Sequence, residues 1–456
     1  MKNNILFAFL FLSAFTFAQN AKFNIRYSEQ LAVFVFIENL SEHYPDNVFR
    51  TEFQKSKYYT DYYKKTIGTL DNLIIDYSYQ FEEFPYGSKK GMQTRDILRK
   101  NLIETNNLTD FKIRMTGILP NKTLNDLAES ILAFAPIYNE LIYNPNKEKF
   151  ETQLEEIRKY SETQQIEKYF ETGLLFYNSG WDKSVPFEIA FYPLPNSEGF
   201  TAQAFCNNFV SAIQTDLGSY KDLFSVMLHE TYHIIYDEQS LEVKTAIDSY
   251  FTQSKSKCSN YAYQLMNEVL ATALGNGYVY EKLDGHPDAG NWYNKKYINL
   301  MAKKIYPLVT TYIDQKKPMD KSFIDNYIRI YEENFPDWIN ELDNIMTYRY
   351  VISEDKDDFN VINQLFRYRS RTEYDLGLSE IGIEKMQNTT LTKVIIISKN
   401  SLEKIKLLKR KFAELKNWKV NADKEFAEKM LLADKSQLII INRKTSTLES
   451  LIKSIK

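Results

Sequence analysis

The stretch Leu223–Asp237, LFSVMLHETYHIIYD, decides how this chain is read. Leu223, Met227 and Ile234 recur at helical spacing and give the segment an apolar back to bury. Ser219 and Asp222 supply a start signal, so a helix is expected from about Tyr220 to Asp237, with Ser219 as its N-cap. On such a helix His229 and His233, four residues apart, project from one face. Two imidazoles so placed grip a single Zn²⁺, and Glu230, at the edge of that face, is positioned to take a proton from a metal-bound water. The chain holds only four histidines, and two of them fall in this motif.

A third ligand is sought downstream. A second helix is expected from Asn260 to Leu274, stopping at Gly275 and Gly277. Glu268 is the charged residue in its apolar run of Leu265, Met266, Val269, Leu270 and Ala273. A buried carboxylate needs a partner, and a metal cation is one. Two histidines and a glutamate leave the open fourth position that a hydrolytic site requires.

HExxH followed by an Asn267-Glu268 pair on a downstream helix resembles the gluzincin clan of zinc metallopeptidases, the thermolysin-like and peptidase-MA-like group. The resemblance covers about residues 185–280. It implies a zincin-like region with a small sheet and two active-site helices. It also implies His229, His233 and Glu268 as zinc ligands, Glu230 as general base, and Ala204–Asn208 as a sheet edge that pairs with a substrate backbone. In this clan a Tyr or His downstream of the glutamate stabilises the oxyanion. Tyr278, Tyr280, His286 and Tyr293 are the candidates, with Tyr278 and His286 carried forward as catalytic. The chain departs from the thermolysin-like pattern at Thr272, where that pattern has an acidic partner for a histidine, so the partner must come from elsewhere, with Asp237 and Asn267 as candidates. It also lacks a Gly-x-Met-Glu-Asn exopeptidase signature.

Working outward, Phe187–Tyr192 (FEIAFY) reads as a strand halted by Pro193 and Pro195, and Gly199–Ile213 as a second extended segment. Residues 20–165 read as a mainly helical N-terminal region, with helices over Leu124–Leu141, interrupted at Pro136, and Phe150–Tyr169; Asp71–Phe81 fits helix or strand equally. Residues 166–350 form the expected catalytic region, whose extension over 295–350 is helical with Leu300, Ile305, Leu308 and Val309 as core positions. Glu354–Asp358 (EDKDD) reads as a solvated loop. The runs Val394–Ile397 and Leu438–Ile441 each precede a charged amphipathic stretch, which predicts a small β/α unit at 380–456 with two buried parallel strands. The fold class expected is therefore α+β, mainly helical.

The 456 residues carry 57 Lys and Arg against 60 Asp and Glu, so no basic excess points to nucleic acid. Residues 1–19, with Lys2 ahead of the apolar run Ile5–Phe17, read as an export signal, placing the protein in the periplasm or outside the cell. No later stretch is long and apolar enough to span a membrane. Cys206 and Cys258 are either bridged or two free thiols. The function expected is a zinc-dependent peptidase acting on a peptide or protein. The rival readings are a catalytically silent protein braced by its metal, and an extracellular glycan- or protein-binding module whose HExxH is accidental. Oligomeric state is not legible.

Overall fold

A computed structural model of the chain describes residues 21–195 and 199–455. The export signal expected at 1–19 lies outside the described residues. The protein is α+β and mainly helical, with two principal sheets.

The first sheet has four strands in the order Phe23–Tyr27, Phe187–Leu194, Asn208–Gln214 and Gln203–Phe205. The first three run parallel, and the last pairs antiparallel at the edge. FEIAFY is apolar nearly throughout because both of its faces are covered. Phe187, Ile189 and Phe191 point into one core with the HExxH helix, while Ala190 and Tyr192 point into a second core with the N-terminal helices. The one charge in that run, Glu188, is buried against Arg26 at 3.2 Å and the Asn24 amide at 2.9 Å. The strand continues through Pro193, rather than stopping there, to Leu194. The extended segment expected over 199–213 is a hairpin, reversing at Cys206 (φ 53°) and Asn207 between its two strands.

The helix expected over 124–141 spans Asn121–Tyr138 and carries Pro136 without ending there; it runs on into a π turn at Asn139–Tyr143. The next runs from Asn144 to Gln164 and breaks at Gln165, which is left-handed (φ 51°), before another at Glu167–Tyr177. Residues 71–81 are largely irregular, with only Ser78–Tyr79 forming a two-residue ladder with Met92–Gln93. Of the predicted core positions after 295, Ile305 and Val309 are fully buried, whereas Leu300 is exposed.

The second sheet has five strands in the order Phe426–Leu431, Gln437–Asn442, Thr392–Ile397, Tyr348–Ser353 and Arg371–Leu376. The two runs predicted as a parallel pair are its neighbouring central strands. The unit expected at 380–456 thus belongs to a sheet whose first strand begins at Tyr348. The acidic stretch 354–358 is not a solvated loop: Asp355 caps a helix at Lys356–Leu365, and Asp358 is buried between Ser353 (2.5 Å) and Arg443 (2.7 Å). Cys206 and Cys258 are both free thiols.

Candidate metal centre

The HExxH helix spans Lys221–Asp237, with Tyr220 rather than Ser219 at its cap position and no side-chain cap bond. Apolar side chains on its back, among them Leu223, Met227 and Ile235, anchor it in the main core. Tyr232 fixes its rotation by donating to the Tyr169 carbonyl at 2.9 Å. The second helix spans Ser259–Thr272 and does not stop at the glycines. It passes as a π-helical segment through Ala273–Val279 and ends at Asp284. Gly275 lies so close to the first helix that a Cβ there would sit 2.6 Å from His229 Cβ and 2.7 Å from its Cα. The glycine permits a near-contact of backbones, tied by the Ser225 hydroxyl donating to the Gly275 carbonyl at 3.0 Å.

This crossing brings three donors together. One ligand atom each from His229, His233 and Glu268 lies within 4.8 Å of the others. The two Nε2 atoms are 3.2 Å apart, and Glu268 Oε2 is 3.5 Å from His233 and 3.8 Å from His229. Glu268 Oε2 is buried with no hydrogen-bond partner. An orphaned carboxylate oxygen facing two imidazole nitrogens fits a divalent cation with the two-histidine, one-carboxylate preference of zinc.

The surroundings favour the protonation states a metal needs at two of the three positions. Burial, reinforced by the neighbouring His233, holds His229 below its ordinary range, so it is neutral. Burial alone would raise Glu268, but the two imidazoles outweigh it and keep the carboxylate ionised. Burial would also lower His233, yet Glu268 overrides it and shifts that imidazole upward. His233 Nδ1 lies 3.0 Å from Asn267 Oδ1, which fixes its ring with Nε2 toward the cluster. Of the two residues expected to partner a histidine, Asn267 is the one within hydrogen-bond reach. Asp237 is engaged elsewhere, accepting from the Lys90 backbone N–H at 2.5 Å and from Lys89 at 3.1 Å. His229 Nδ1 is buried without a hydrogen-bond partner among the described residues.

Glu230 lies one residue along the same helix and is half-buried; desolvation raises its carboxyl, His233 opposing. Of the four oxyanion candidates, only Tyr293 joins the cluster. Its ring stacks on His229 (centroids 5.9 Å apart, 26° between planes), and its hydroxyl is 3.2 Å from that of Tyr368. Burial raises the Tyr293 hydroxyl, and the Glu268 carboxylate adds to it. Tyr278 and His286, expected to be catalytic, are not brought to the site. Tyr278 packs edge-on to Tyr169 at 6.3 Å because the π-helical segment turns it into that layer. His286 follows the helix end at Gly285, is largely exposed, and pairs with Asp284 at 2.7 Å. Tyr280 lies beneath Lys221.

Two chambers flank the cluster. One, of 350 Å³, opens between His233 and the edge strand, with Ala204, Phe205 and Cys206 on its wall. The other, of 410 Å³, runs from Asn267 and Glu268 to Tyr348, Ser370 and Arg371 at the rim of the second sheet. Residues 80–93 cross between them, and Lys90, Gly91 and Gln93 line both. Sequence reasoning missed this strap and the rim residues Tyr368 and Arg371. They come from segments remote from the motif and carry no local pattern of their own. No protein-family model, characterised protein or solved structure matches the chain.

Proposed function

We propose that the protein is an exported zinc-dependent peptidase with a zincin-like active site of the gluzincin type. The convergence of His229 Nε2, His233 Nε2 and Glu268 Oε2, with Glu230 beside them, carries this reading. Among the described residues no strand pairs with the outer edge of Gln203–Phe205, which lies at the end of the first sheet and along the cleft; this supports a peptide as substrate, since an extended backbone adds to such an edge. The leader-like residues 1–19 support export.

His229, His233 and Glu268 would hold the ion. Bound zinc supplies Lewis acidity and brings the pKa of a water toward neutrality. Glu230 accepts the proton of the attacking water and delivers it to the departing amine. Asn267 orients His233, and Tyr293 offers its hydroxyl to the oxyanion. The strap and the second-sheet rim narrow the cleft and limit the water around the reacting carbonyl.

The decisive test is Glu230→Gln. Zinc content should match the wild type, while kcat for an unstructured peptide library falls by about 10²–10⁴-fold. Zinc retained by both proteins with no cleavage by the wild type would leave a metal-braced binding protein. A wild type that binds no zinc would remove the hydrolase reading.

A further inference from the structure

Arg371 opens the last strand of the second sheet and lines the 410 Å³ chamber together with Glu268. Among the described residues Arg371 forms no ion pair with a carboxylate; the polar group beside its guanidinium is the Tyr86 hydroxyl. The other cations on the chamber wall and strap are engaged. Lys90 pairs with Asp96 at 2.7 Å, Lys89 with Asp237 and Glu238, and Lys244 with the Ser88 carbonyl.

Arg371 is nevertheless held in place. Its guanidinium lies over the Tyr86 ring, 5.1 Å from the centroid. It also presses on Gly87, where any Cβ would collide with it and where the backbone is left-handed (φ 76°). Tyr86 is in turn tethered to Glu373 at 3.3 Å. A planar five-donor fork, immobilised by stacking and without a carboxylate partner, is a preorganised receptor for a carboxylate.

We infer that Arg371 binds a carboxylate of the substrate, so that the enzyme acts on peptides presenting either a free C-terminus or an acidic side chain to the chamber next to Glu268. The inference rests on the peptidase reading for the kind of ligand, and its test does not require turnover.

The test is equilibrium binding to the zinc-loaded Glu230→Gln protein, with two pairs of short acetylated peptides. One pair differs only in a C-terminal carboxylate or amide. The other has an amidated end and differs only in an internal Glu or Gln. The acidic member of at least one pair should bind about ten- to a hundredfold more tightly. The pair that shows the preference identifies the source of the carboxylate. The preference should vanish in Arg371→Gln and persist in part in Arg371→Lys. Equal affinity within both pairs, no binding of any peptide, or a preference that survives in Arg371→Gln because the metal takes the carboxylate would each overturn it. The comparison on the unsubstituted Arg371 protein stands even if the variants fold poorly. Failure of the peptidase reading shows separately, as no cleavage by the wild type of the peptides it binds.

Discussion

Tyr293 touches the candidate metal centre in two ways that a single substitution separates. Its ring stacks on His229, and its hydroxyl is 3.2 Å from that of Tyr368. Phe at 293 keeps the stack and removes the hydroxyl. If the hydroxyl donates to the oxyanion, Tyr293→Phe should lower kcat by about 10²-fold with zinc content and KM near the wild type. A kcat within twofold of the wild type would leave the residue as a support for the imidazole only. At this scale the sequence was informative where chemistry follows a helical period. The four-residue spacing placed His229, His233 and Glu230, and an apolar setting singled out Glu268. It was uninformative for the aromatic partner. With 33 tyrosines in the chain, nothing local distinguishes Tyr293 from Tyr278. What distinguishes them is the path of the backbone between the two helices, a tertiary fact.

That path is an element-scale property, and Gly275 governs it. A methyl group there meets the His229 backbone nitrogen at 2.7 Å as well as its Cα and Cβ, a contact that no side-chain rotation relieves. Gly275→Ala should therefore push the two helices apart. The expected loss is about 1–3 kcal/mol in urea unfolding, with weaker zinc binding because His229 and Glu268 separate. Unchanged zinc affinity together with unchanged stability would show that the helices have slack. Reading Gly275 and Gly277 as a helix stop followed their intrinsic propensity. The structure keeps the helix and widens it into a π segment, because the local requirement is close approach rather than termination. The same logic explains the first sheet. FEIAFY was legible as a strand from its composition, but its neighbours were not, since parallel pairing joins Phe23–Tyr27 to residues far along the chain. The two central strands of the second sheet were legible because each is apolar on both faces. Of its other strands, Tyr348–Ser353 and Arg371–Leu376 bring Tyr348 and Arg371 to the cleft.

At the scale of the whole molecule, the cleft is assembled from four distant parts: the strap at 80–93, the edge strand of the first sheet, the two helices, and the rim of the second sheet. Lys244 sits where these parts join. It is 1% exposed, donates to the Ser88 carbonyl of the strap, and lies 4.0 Å over the Tyr236 ring at the end of the HExxH helix. Burial lowers its pKa to about 7, Asp237 only partly opposing. An unfolded chain holds this proton up to about pH 10.4. Between about pH 7 and 10 the unfolded state therefore binds more protons than the folded one, and stability from this group rises with pH; below about 7 both states are charged and the contribution is at its minimum. Lys244→Met removes the titration. The stability of the wild type relative to that variant should climb from pH 7 to pH 9.5, by at most about 1.4 kcal/mol per unit, and stay level below pH 6.5. Chemical unfolding of the two proteins across that range decides it. Parallel stability curves would mean that Lys244 stays protonated in the fold and that its ammonium, rather than a neutral amine, anchors the strap to the Ser88 carbonyl.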